Sequence, residues 1–229
     1  MSETKPLLIV FAGPNGSGKS TATDAIRRYT EDFPSLYINA DDIERNLGIG
    51  TLEAAIEADR QRKDCIARRQ TFAMETVMST PDKIELMREA KTGGYHVHLE
   101  YITTESPAIN LDRIRNRVLD GGHDVPEEKT LSRYDRSMSL LPEAIRTVDT
   151  ARIYNNSFEN PLLIAEKKGG QDIIIYAQKQ PSRWNERKII KLIGMENVKT
   201  ILHPENTEGG KIESISLGKA ARQRPRNKK

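Results

Sequence analysis

The chain lacks any run approaching the roughly 18 consecutive apolar residues that a membrane span needs, so no transmembrane helix is expected in it. It has one cysteine, Cys65, which excludes an internal disulfide; within a charged helical stretch this residue reads as a small helix side chain. The single tryptophan, Trp184, reads as a core anchor rather than a stacking platform. The first residues show no charged segment, apolar core and small-residue cleavage site in succession, and a cytoplasmic location, where ATP is plentiful, is expected. Excess positive charge is also missing from most of the chain. The last eleven residues, Lys219 to Lys229, hold six of the 36 Lys and Arg and no acid, which leaves 30 basic against 33 acidic residues elsewhere. A general nucleic-acid surface is therefore not indicated, and any such contact falls to the basic tail.

What the chain does have is one glycine-rich stretch in a telling place. The apolar run Leu7 to Ala12 leads into Gly13, Pro14, Asn15, Gly16, Ser17, Gly18, Lys19 and Ser20, and Thr21 continues into a helical pattern. Strand, glycine turn and helix in this order form a phosphate-binding P-loop. Its glycines let backbone N–H groups curl toward a polyphosphate, while the following helix adds the positive end of its dipole. Lys19 is expected to reach the β- and γ-phosphates of ATP, and Ser20 to hold Mg2+.

The remaining pattern predicts an α/β fold in which a parallel sheet is flanked by helices. A helix follows over about 18–29, then a strand, Leu36 to Asn39, ending at Asp41 and Asp42. A long exposed helix is expected over 51–69, and a third strand over 71–74 ends in Glu75 and Thr76. Pro81 opens a helix that Gly93 and Gly94 close, and residues 95–102 form a fourth strand carrying His96 and His98. Ligands bind beyond the carboxyl ends of such strands, so the P-loop, Asp41, Asp42 and Glu75 are expected to share one site. The second strand is expected beside the P-loop strand. Pro161 to Ala165 and Asp172 to Tyr176 read as a β-hairpin, and residues 203–229 as a flexible basic tail on a kinase-type domain over 1–202.

Between these, Ser106 and Pro107 open a helix that carries Arg113 and Arg117 one turn apart. Gly121 and Gly122 follow, then a helix with Arg133, for which Asp124 and Glu127 offer a capping box. Two arginine-bearing helices around a glycine hinge, at about 106–141, make a lid over a triphosphate.

Several segments together resemble the zeta toxin family of P-loop kinases. They are the P-loop, Asp41 and Asp42, Phe72 to Thr76, the run Arg117 to Pro126 with its Gly-Gly-His-Asp-Val-Pro segment, Arg133 with Tyr134, and Ile153 to Asn156. The match extends from about Leu7 to Ser157 and looks closest to Gram-negative-type members. The resemblance implies transfer of the γ-phosphate of ATP to the 3′-hydroxyl of a UDP-activated amino sugar, chiefly UDP-N-acetylglucosamine, restrained by an antitoxin partner. It places Asp41 as catalytic base with Asp42 as its rival, Glu75, Thr76 and Asp42 at the sugar, Lys19 at the phosphates, Ser20 at Mg2+, and Arg117, Arg113 and Arg133 in the lid. After the glutamate this chain has Thr76 and Val77 where founding members carry Gly-Thr. A metabolic small-molecule kinase on the same frame, and an NTP-dependent binding or switch protein, are the competing readings.

Overall fold

A computed structural model describes residues 4–30, 33–122, 124–176 and 184–202. Its centre is an eight-stranded sheet made of β1 (Leu7–Ala12), β2 (Leu36–Ile38), β3 (Phe72–Thr76), β4 (His96–Thr103), β5 (Thr150–Asn155), β6 (Leu162–Lys167), β7 (Ile173–Tyr176) and β8 (Val198–Leu202). The spatial order is β2-β3-β1-β4-β5-β6-β7-β8. The first five strands in that order are parallel; β6 is antiparallel to both β5 and β7, and β8 pairs parallel with β7.

This order corrects one expectation. β3, not β2, lies beside the P-loop strand, and β2 forms the edge. The reason is burial. An inner strand of a parallel sheet is covered on both faces and needs a nearly continuous apolar run. Leu8 to Ala12 and Phe72 to Met74 provide one, with 0% exposure throughout, whereas β2 has three residues and its Leu36 is 41% exposed.

Among the described residues, seven α-helices connect the strands: α1 (Lys19–Tyr29), α2 (Ala40–Leu47), α3 (Thr51–Ala67), α4 (Asp82–Thr92), α5 (Pro107–Leu119), α6 (Glu127–Thr147) and α7 (Trp184–Ile193). One sheet face packs against apolar residues of α3, α4, α6 and α7, including Ala58, Met87, Leu141 and Ile189. The other face packs on α1 through Ala22 and Ile26. Further out on that second face, the residues are charged. His98 bonds Glu100 at 2.8 Å, and Arg152 reaches Glu100 at 3.8 Å and Glu166 at 3.2 Å. Among the described residues no helix is long and apolar enough to cross a membrane.

The hairpin read at 161–176 is present as β6 and β7. The capping box is not: Pro126 occupies the N-cap of α6 and no side chain caps it. The tail, residues 203–229, and the ring of Trp184 lie outside the described residues.

The C-terminal end of α6 is closed by a buried cation. Lys167, 2% exposed, donates from Nζ to the carbonyls of Ile145 at 2.8 Å and Val148 at 2.7 Å. Lys167→Met fills similar space but leaves both carbonyls without that donor, and an unsatisfied buried polar group costs about 1–3 kcal/mol. Urea denaturation of the variant is expected to show a loss of that order; an unchanged midpoint would mean that water replaces the ammonium without penalty.

Candidate active site

The loop between β1 and α1 is shaped by its glycines. Gly13 has φ 144° and Gly18 φ 89°, both in the region that L side chains avoid. Space is short as well as conformation: a Cβ on Gly13 would stand 1.9 Å from the carbonyl oxygen of Ile102, so the backbone of β4 closes directly against the loop. α1 starts at Lys19 with no acidic residue in its first turn, and the positive end of its dipole is left for an anion. Thr21 is exposed in that turn.

Lys19 is 7% exposed, and its Nζ donates to the carbonyl of Pro14 at 3.0 Å. Burial pushes its pKa down. The carboxylates of Glu75 and Asp41 pull it up, and the Arg117 guanidinium opposes them. Residues from the P-loop, β3, α2 and α5 thus act on one ammonium.

Glu75, expected at the acceptor, has its carboxylate on the P-loop instead. β3 runs beside β1 with Phe11 opposite Glu75, and this register brings the side chain to the start of α1. Its Oε1 accepts from Ser20 Oγ at 3.0 Å and its Oε2 from the Tyr37 hydroxyl at 2.8 Å. Burial, followed by the nearby Glu75 charge, raises the Tyr37 pKa far above the ordinary phenol value, so Tyr37 stays a proton donor. A serine hydroxyl and a carboxylate held together fit Mg2+, a hard cation that prefers oxygen. Among the described residues no group of three or more His, Cys, Asp or Glu side chains is placed to hold a metal ion.

Asp41 and Asp42 do not end a strand. Asn39 caps α2, accepting from Asp41 N–H at 3.0 Å, and both aspartates lie in the first helical turn. Asp42 pairs with Arg45 at 3.1 Å, while Asp41 is exposed within reach of the Lys19 field. Thr76 spends its hydroxyl on the N–H of Met78 at 3.0 Å, closing the turn after β3. Arg62 on α3, 3% exposed, donates to the Glu75 carbonyl at 3.2 Å and to Asp59 at 2.7 Å, which ties α3 to the end of β3.

From α5, Arg113 comes to the loop. Its Nη1 is buried without a hydrogen-bond partner, and burial lowers its pKa. The same atom is 4.0 Å from where a Cβ on Gly18 would stand. An unpartnered guanidinium N–H beside a phosphate loop, with Ser17 Oγ also buried and unpartnered, fits a bound polyphosphate. Arg133 is half-buried on α6, and among the described residues no hydrogen bond or ion pair joins it to the other site residues. His123 of the Gly-Gly-His segment lies outside the described residues.

Three contributors were not anticipated. Tyr37 had no signal, since an aromatic on a short strand reads as core. The amides of Asn110 and Asn156 donate to the loop carbonyls of Asn15 at 2.6 Å and Ser17 at 2.8 Å. Asn156 belonged to a noted segment but had no assigned task.

No protein-family model matches the chain. It is 34% identical over 131 residues to an uncharacterized protein of Haemophilus influenzae, an alignment covering 55% of this chain and 91% of that protein. In structure it is similar to a chain of the PezAT chromosomal toxin–antitoxin system of Streptococcus pneumoniae, with TM-score 0.51, 16% identity, and 84% of this chain and 80% of that one covered. It is also similar to a chain of the AvrRxo1-ORF1:AvrRxo1-ORF2 complex with ATP, with TM-score 0.61 and 15% identity; 90% of this chain is covered, but only 66% of the length of that one. At these identities the structural likenesses establish a fold, the P-loop kinase-like α/β sheet described above. The coverage of the Haemophilus influenzae protein goes further: this chain belongs to the same family as that protein.

Proposed function

We propose that the chain is a kinase that moves the γ-phosphate of ATP, with Mg2+, to a hydroxyl of a UDP-activated amino sugar, such as the 3′-hydroxyl of UDP-N-acetylglucosamine. The reading includes a cytoplasmic setting and an antitoxin partner, in line with the toxin–antitoxin system to which the fold is similar. The observation that carries it is the Ser20 hydroxyl bonded to Glu75 on a phosphate loop beside which the buried Arg113 Nη1 has no hydrogen-bond partner, because phosphoryl transfer needs oxygens for the metal and a cation at the phosphates in one place.

Bound ATP·Mg2+ supplies the transferable phosphoryl group and its charge shield. Lys19 and the loop N–H groups orient the phosphates, Arg113 and Arg117 face the charge that builds up, and Asp41 accepts the proton of the acceptor hydroxyl. Glu75 holds Ser20 on the metal side rather than binding the sugar. Domain limits at about 1–202, with 203–229 as a dispensable tail, are part of the same proposal. Incubating the protein with ATP and a panel of UDP-sugars, followed by mass spectrometry, tests it. Phosphorylation of another small molecule and of no UDP-sugar would move the chain to a metabolic kinase.

Glu75→Gln separates the metal role from an acceptor role. The amide keeps the size and one acceptor oxygen but loses the charge, and loss of such a supporting partner commonly costs about 10–100-fold in metal affinity or activity. Turnover at low Mg2+ is expected to fall by that factor while the acceptor KM stays constant. A raised acceptor KM with unchanged Mg2+ dependence would return Glu75 to the sugar.

A further inference from the structure

We infer that Asn110 is a positioning residue that locks helix α5 to the phosphate loop and thereby sets where Arg113 stands; the inference rests on the kinase reading. A phosphate loop turns its N–H groups inward, which leaves its carbonyls facing protein, and each buried carbonyl needs a donor. Asn110 supplies one. It is 0% exposed, its Nδ2 donates to the Asn15 carbonyl at 2.6 Å, and its Oδ1 accepts from the Thr104 hydroxyl. Thr104 is fixed in turn, since its carbonyl accepts from the Tyr134 hydroxyl of α6 at 2.7 Å. The Asn15 carbonyl can only accept, so the amide has one orientation, NH2 toward the loop and carbonyl toward Thr104.

Backbone contact strengthens the lock. A Cβ on Gly16 would lie 2.5 Å from the Asn110 carbonyl oxygen, so loop and helix meet without a side chain between them. Arg113 follows three residues later on the same rigid helix, a rise of about 4.5 Å. Its unpartnered Nη1 sits by Gly18, at the other end of the loop. One helical turn thus spans the loop, with a fixed amide at one end and a cation at the other. A shift of α5 on the loop would move the cation by a similar amount, and misplacement of about 1 Å at a reacting group can cost about 10²-fold in rate.

A double-mutant cycle on the full chain tests this. Asn110→Asp keeps the shape but puts a carboxylate oxygen against the Asn15 carbonyl. It is expected to lower kcat by about 10–100-fold with ATP KM changed by less than about threefold, the pattern of an interaction made chiefly in the transition state. Arg113→Ala is expected to lower kcat by a similar factor, and the double variant to be no slower than the slower single, because both remove the same cation from its place. Thr104→Val, which frees the Asn110 amide without touching the loop, is expected to give a milder loss, also non-additive with Arg113→Ala; it carries the test where Asn110→Asp folds poorly. Losses that multiply, or a folded Asn110→Asp protein with unchanged kcat, would overturn the inference. Amide hydrogen exchange, measured in the same variants, keeps the two levels apart. If the wild type binds ATP but transfers no phosphate, the kinase reading fails, and the lock is still decided: faster exchange across the loop and α5 in Asn110→Asp and Thr104→Val but not in Arg113→Ala supports it, and unchanged exchange in all three overturns it.

Discussion

Lys19→Ala is expected to reduce phosphoryl transfer by at least about 10²–10³-fold, the range seen when one preorganised group facing developing charge is removed. The ammonium is fixed by the Pro14 carbonyl and lies in the fields of Glu75 and Asp41, so it is aimed before any substrate arrives. Stability should not suffer in proportion. A lysine whose pKa is lowered by burial holds its charge at a cost in the folded state, and alanine removes that cost along with one hydrogen bond. The sign for pH follows. The folded protein loses this proton before the unfolded chain does, so the charged form is lost as pH rises through a pKa below 10.5, and the alkaline limb of kcat/KM for ATP is expected on that side. Steady-state kinetics and a thermal melt check both parts; near-normal turnover in a folded Lys19→Ala protein would remove the lysine from the mechanism.

Asp41→Asn is expected to leave ATP and acceptor binding largely intact while transfer falls about 10²–10⁴-fold, the usual contribution of a general base. The case now rests on the start of α2 rather than on a strand end. Asn39 caps that helix through the Asp41 N–H, which fixes the backbone of an exposed carboxylate whose charge acts on Lys19. Asp42, one residue on, is turned to Arg45. Asp42→Asn should therefore cost little. Parallel measurement of kcat and of both KM values in the two variants decides the matter: loss confined to Asp42→Asn would identify the wrong aspartate here, and full activity in both would end the carboxylate-base mechanism.

Much of the fold was legible because its signals are local. Leu7 to Ser20 names a strand, a glycine turn and a helix in one sweep, and the structure has β1, the loop and α1 there. Strand order was not legible, since it depends on which apolar runs are long enough to be covered twice. That comparison separates Phe72 to Met74 from the three-residue β2 only once burial is known. The same gap hid the Glu75 contact: nothing in a sequence says that residue 75 stands opposite residue 11. α2 was missed because Asp41 and Asp42 read as the end of a strand, when Asn39 had already begun a helix. β8 went unread beside the polar segment that follows it.

The Asn156 amide holds the Ser17 carbonyl across 139 residues of sequence. During synthesis, then, the nucleotide loop emerges early but cannot be set until the chain has been made through β5 and that strand has docked beside β4. At about 5–20 residues per second, the ribosome takes on the order of ten seconds to close this interval. A nascent or prematurely ended chain that stops before Asn156 carries the whole glycine motif without the brace that shapes it. Incomplete copies of the proposed kinase would on this account be inert.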